Sequence, residues 1–194
     1  GLRLSKTGKS PGYNIPIFGG RHQDYPLPVA DAPLLAETYG TMKGSAIFCT
    51  AGLSGQDRAR WFAAFAERLL MKNRGWLRVV IDEAHIFMPK QGAKGGGAVP
   101  MALHAGNELV SQGRSSGLRI VLASQRSAKL HNDASSQCPT LIAMRLMAPH
   151  DRDAVCWCAL GAMRKTSSAP WGDWVIALAE HLDNYKTCAL PDFN

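Results

Sequence analysis

Leu77-Arg78-Val79-Val80-Ile81-Asp82-Glu83 and, further along, Leu118-Arg119-Ile120-Val121-Leu122-Ala123-Ser124-Gln125-Arg126 decide how this chain reads. Each is a compact run of aliphatic and β-branched residues that ends abruptly in polar side chains. Read as continuous apolar runs rather than alternating ones, they have the pattern of strands in a parallel sheet covered on both faces. The segments around them supply the covering helices. Residues 32–42 read as a helix by periodicity, and 46–50 as a short buried strand. Ser54 is placed to cap the next helix, with Asp57 three residues on completing a capping box. Along that helix Trp61, Phe62, Phe65 and Leu69 fall on one stripe, and the helix should run to about Asn73 and stop near Gly75. Residues 100–112 form another helix and 118–123 the second buried strand. Further expected elements are strands over 13–18, 140–146 and 174–179 and a helix over 149–160. The stretch 126–139 reads as irregular. Strands alternating with helices define an α/β architecture in one domain spanning 1–194, with no internal repeat.

In such a sheet, ligands collect beyond the carboxyl ends of the strands. Asp82 and Glu83 come directly after their strand, so both carboxylates should lie at that edge. Asp82 suits Mg²⁺, a hard cation that prefers oxygen and keeps much of its water. Glu83 suits the orientation and polarisation of a water attacking a γ-phosphate. An acidic surface turn is the competing reading for the dipeptide alone. The second run ends in Gln125, whose amide both donates and accepts, so it can bridge an attacking water and a phosphate. Arg114, in Gly113-Arg114-Ser115-Ser116-Gly117, offers positive charge to a transferred phosphoryl group from a neighbouring subunit. Equally, it stands near a helix end, where a cation offsets the helix dipole.

Composition is compatible with this chemistry. Of the 194 residues, 46% are hydrophobic and 19% charged, which excludes a disordered chain. The 22 Lys+Arg against 15 Asp+Glu give a net charge of +7, which suits a polyanionic partner. Five cysteines, none in a C-x-x-C pair, point to reduced thiols and a cytoplasmic protein rather than a disulfide scaffold. No stretch approaches the apolar length of a membrane span. Zinc hydrolysis is excluded by the lack of two histidines at metal-binding spacing.

The residues then show a specific likeness. Val79–His85, Arg114–Arg126 and Ala128-Lys129-Leu130 resemble the HerA-like branch of the HerA–FtsK ATPases. That family has a strand ending in Asp-Glu-Ala, an Arg-x-x-Gly element and a strand ending in Thr/Ser-Gln-Arg-Pro. Ala143–Arg145, Pro149–Arg152, Gly8-Lys9-Ser10-Pro11-Gly12 and Phe18-Gly19-Gly20 extend the resemblance over most of residues 1–160. Ser127 stands where the family usually has Pro, which should loosen the turn. The resemblance implies a RecA-like three-layer P-loop NTPase core with Asp82-Glu83 as Walker B. It further implies an ATP- and Mg²⁺-dependent DNA-translocating motor or helicase, a hexamer, and a nuclease as partner. Nucleic-acid contact would fall to Arg126, Lys129 and His131 after the second strand, with Lys90 and Lys94 in the glycine-rich stretch 89–97.

Gly8-Lys9-Ser10 is a decoy for the phosphate loop. G-x-x-x-x-G-K-[ST] requires Gly where Arg3 stands, and Pro11-Gly12 cannot continue the helix the loop needs. The domain is therefore expected to be amino-terminally incomplete, lacking the Walker A strand-loop-helix, and this chain alone is expected to be inactive. Two other readings stay open. Asp82-Glu83-Ala84-His85 spells the box of the DEAH helicases, whose Ser-Ala-Thr and Gln-x-x-Gly-x-x-Arg elements do not occur here. A non-catalytic or regulatory ATPase relative would keep the fold and bind a partner.

Overall fold

The computed structural model of the chain describes residues 13, 15–42, 44–91, 96–142, 148–151 and 153–155. Its elements run β1 (Ile17–Phe18), α1 (Ala32–Thr41), β2 (Ile47–Phe48), α2 (Gly55–Lys72), β3 (Leu77–Ile81), α3 (Val99–Gln112), β4 (Leu118–Leu122) and α4 (Asn132–Ser136). Both strand pairs are parallel: β1 lies beside β2, and β3 beside β4 in the register Leu77↔Leu118 through Ile81↔Leu122. The architecture is α/β with short parallel strands.

α2 is the hub. Ser54 Oγ accepts the Asp57 N–H at 3.1 Å and donates to Asp57 Oδ2 at 2.8 Å. The acid thus meets the serine hydroxyl instead of the serine backbone N–H expected of a capping box. That hydrogen bond, with help from Arg60, holds the Asp57 carboxyl below its usual range against a smaller opposing effect of burial. Trp61, Phe62, Phe65 and Leu69 are all buried, as their stripe requires. Trp61 stacks on Phe65 at 4.8 Å, and Phe48 of β2 leans on Phe65 at 5.1 Å. α1 packs on one side of α2 and α3 on another. Rings of this size carry most of the apolar area that holds such a layer together.

The sheet itself departs from expectation. Leu77, Val79, Ile81, Leu118, Ile120 and Leu122 face the helical core, whereas Arg78, Val80, Arg119 and Val121 are exposed. Val80 is 62% and Val121 45% exposed, so among the described residues one face of β3–β4 is left open where the apolar runs predict covering on both faces. The arginine second in each run is the sequence signal for that alternation. On the open face the Arg119 guanidinium lies 4.7 Å over the exposed Trp76 ring.

The two short strands hold with adjusted bounds. The strand expected over 13–18 shortens to Ile17–Phe18, and that over 46–50 to Ile47–Phe48. The irregular 126–139 contains a 3-10 turn at Ser127–Lys129 and the short α4. The strand expected over 140–146 is not found at 140–142, and 143–146 lie outside the described residues; within the helix expected over 149–160, residues 149–151 and 153–155 are helical. The strand over 174–179, Gly8-Lys9-Ser10, Lys94, Ala143–Arg145 and Cys156, Cys158 and Cys188 lie outside the described residues. Cys49 and Cys138 are in the thiol form, and Cys138 Sγ donates to Ala134 C=O at 3.5 Å.

Candidate active site at the carboxyl ends of β3 and β4

The parallel ladder continues past the strand ends. Ala123 N–H donates to Ile81 C=O at 2.9 Å, and Ala84 N–H donates to Ala123 C=O at 2.9 Å. These two bonds stitch the Asp82-Glu83 turn to the start of Ser124-Gln125-Arg126, so the two polar strand ends share one edge. Between them Glu83 adopts φ 48°, ψ 46°, the left-handed region. Among the described residues it is the one non-glycine with positive φ. This conformation costs a glutamate about 1–2 kcal/mol. The strain turns the chain from β3 into the 3-10 turn Ala84–Ile86.

The segment after this turn is rigidly held. Ala84 and Met88 are fully buried. Phe87 stacks on Phe62 of α2 at 4.4 Å. Met88 fills the space over Gly106 of α3, where any Cβ would come within 2.5 Å of Met88 Cγ. The backbone at Glu83 is therefore fixed from behind by two helices.

The side chains are less settled. Asp82 is exposed, and its Oδ1 accepts the Glu83 N–H at 2.9 Å. Glu83 Oε2 is shut off from water and makes no well-aligned hydrogen bond. It does lie 3.2 Å from His85 Nδ1, a close approach of charge to ring nitrogen. The same Nδ1 is 2.9 Å from Ser124 Oγ. Ser124 Oγ in turn accepts the Arg126 N–H at 3.1 Å. Gln125 and Arg126 are exposed just beyond. The exposed Asp82 carboxylate is of the oxygen-donor type that suits a hydrated divalent cation, whereas Glu83 Oε2 is turned toward His85. Among the described residues no group of three or more His, Cys, Asp or Glu side chains is placed to hold a metal ion.

Arg114 is not brought to this edge. It is exposed in the turn leading into the amino end of β4, whereas Asp82 and Glu83 lie past the carboxyl end of β3. A five-residue strand, roughly 17 Å, separates the two ends. The basic loop does meet Pro89 and Lys90, at the start of the glycine-rich stretch. Pro89 and Leu130 form an antiparallel bridge, and Lys90 N–H donates to Lys129 C=O at 2.7 Å. Lys90 and Lys129 reach partial or greater exposure there. His131 is half-buried and already engaged: its Nδ1 accepts the Asp133 N–H at 3.3 Å and caps α4.

Sequence reading misses Asp151. It is 6% exposed, and its Oδ1 accepts the Ala128 N–H at 2.9 Å. The Ser127 hydroxyl donates to Asp151 C=O at 2.9 Å. Ser127 thus ties the turn down, where the absence of proline predicts loosening. The one signal is the acidic residue in Pro149–Arg152, and nothing in it names Ala128 as its partner.

A paired acidic strand end on an α/β scaffold of parallel strands, with a polar second strand end beside it, defines the class of site. No family model matches the chain. Over 77 residues it is 36% identical to the DNA double-strand break repair helicase HerA of Pyrococcus furiosus, a stretch covering 40% of this chain and 13% of that protein. The chain thus spans a small part of its relative's length, and the likeness supports a HerA-like relationship. Among the described residues no helix is long and apolar enough to cross a membrane.

Proposed function

We propose that this chain carries the Walker B and sensor portion of a RecA-like ATPase of the HerA–FtsK kind, an ATP-driven DNA-translocating motor. The observation that carries the reading is Glu83. It is held in a strained backbone conformation beside Asp82, with a buried, unsatisfied carboxylate oxygen at the edge where α/β proteins bind ligands. In this reading Asp82 would hold Mg²⁺, Glu83 would accept a proton from the water that attacks the γ-phosphate, and Gln125 would orient that water. Arg114 serves the site of a neighbouring subunit in a hexamer, because within its own chain it lies at the wrong end of the sheet. Arg126, Lys129 and Lys90 meet DNA phosphates, and His131 supports the loop that presents them. A cytoplasmic setting and a nuclease partner belong to the same proposal, on the likeness to a break-repair helicase.

The test is Glu83→Gln in the full-length gene product. Nucleotide binding should persist while Mg-ATP turnover falls by about 10²-fold or more, the scale of a lost general base. Near-normal turnover would remove Glu83 from the mechanism.

A further inference from the structure

The contacts at the strand ends carry an inference about how the site is controlled, and it rests on the ATPase reading above. We propose that His85 is a positioning residue that couples the Glu83 carboxylate to the end of β4, so that the state of the basic loop sets whether Glu83 is held or free.

One nitrogen faces two oxygens. His85 Nδ1 is 3.2 Å from Glu83 Oε2 and 2.9 Å from Ser124 Oγ. A neutral imidazole carries its proton on one nitrogen only. With the proton on Nδ1, the ring donates to one of the two oxygens. With it on Nε2, Nδ1 accepts the Ser124 hydroxyl and presents a lone pair to Glu83. Ser124 and Glu83 therefore compete for one atom. Ser124 is itself tied to the loop, since its Oγ accepts the Arg126 N–H at 3.1 Å. A shift of the Arg126 backbone on meeting a polyanion alters that bond, then the Ser124–His85 bond, then the position of Glu83.

The surroundings make the carboxylate the part that moves. The backbone before it is fixed by the Ala123–Ile81 bond, and that after it by the Ala84–Ala123 bond and by buried Ala84 and Met88. The His85 side chain is only 14% exposed, so its contacts compete little with water. Serine, histidine and glutamate together also suggest a nucleophilic triad. That is excluded because both oxygens meet the same ring nitrogen, and a relay needs one on each.

The experiment uses the full-length gene product, with Mg-ATP turnover measured with and without duplex DNA. His85→Ala should lower kcat about 10-fold or more with KM unchanged, the scale seen when a supporting partner of an active group is removed. His85→Asn, whose amide N–H stands in for Nδ1–H, should restore most of the loss. Ser124→Ala should raise turnover without DNA and shrink the stimulation by DNA, and adding it to His85→Ala should change nothing more. A kcat unchanged in His85→Ala, no rescue by asparagine, or additive effects in the double variant overturns the coupling. Independently of turnover, the imidazole ¹⁵N shifts of His85 should change in nucleotide-free Ser124→Ala. Unchanged shifts overturn the coupling even in an active ATPase. Absence of turnover in the wild type defeats the ATPase reading, and the shifts still decide the contact.

Discussion

The two ends of the β3–β4 pair are built from the same register and put to opposite uses. At the amino end, Leu77 N–H donates to Gly117 C=O at 3.2 Å. Asn73, 1% exposed at the end of α2, donates to Gly75 C=O at 2.7 Å and to Ser116 C=O. The left-handed residue there is Gly117, where a Cβ would come within 2.4 Å of Gly75 C=O. At the carboxyl end the left-handed residue is Glu83, a side chain that gains nothing from that conformation. Its carboxylate oxygen is orphaned, while the orphan at the amino end is the neutral Asn73 Oδ1. A neutral amide oxygen left unpaired costs less than a carboxylate. One end of the sheet is closed by neutral hydrogen bonds, and the other keeps backbone strain and a carboxylate whose near neighbour is the His85 ring.

The largest effect on folding should therefore come from the amino end. Asn73→Ala leaves two carbonyls without donors and should destabilise the chain by about 2–3 kcal/mol in chemical denaturation. A loss below about 0.5 kcal/mol, the range of an ordinary surface change, would remove the distinction between the ends. The next effect has the opposite sign. Glu83→Asn relieves the left-handed strain, since asparagine tolerates that region, and removes the charge from the shielded Oε2 position. It should stabilise the fold by up to about 1 kcal/mol while abolishing turnover. If it destabilises instead, Glu83 is a structural residue and the contrast fails.

How much of this is legible in the sequence can be traced residue by residue. β3 is legible to its bounds and β4 to within a residue, because aliphatic runs ending in charge have few other readings. The helix after Ser54 is legible because its cap and its aromatic stripe are both local patterns. The open sheet face is lost when Arg78 and Arg119 are counted within apolar runs, because the period-2 alternation they mark then disappears. Asp82 and Glu83 can be placed at a strand end, but the left-handed φ of Glu83 leaves no local mark in the sequence, and the packing of Met88 over Gly106 behind it joins distant segments. For the same reason Asp151 and the His85–Ser124 contact are out of reach, since each joins residues far apart in the chain. Arg114 stands out by motif alone, and only the fold shows which end of the sheet it occupies.

That placement sets the smallest expected effect on stability. Arg114 is exposed in a turn whose closure depends on Asn73 and Gly117, not on its own side chain. Arg114→Ala should leave stability within about 0.5 kcal/mol of the parent, as surface changes away from caps and cores do. Its effect should instead appear between subunits. An exposed cation at the end of the sheet away from its own Asp82-Glu83 can still reach a neighbour's site when subunits pack around a ring. In the full-length assembly, subunits carrying Arg114→Ala keep an intact Glu83, and subunits carrying Glu83→Gln keep an intact Arg114. Mixing the two should restore turnover above that of either alone, because some interfaces then combine a working glutamate with a working arginine. Turnover that never exceeds the dilution average would confine Arg114 to its own helix end, and function would then reside at the carboxyl end of the sheet alone.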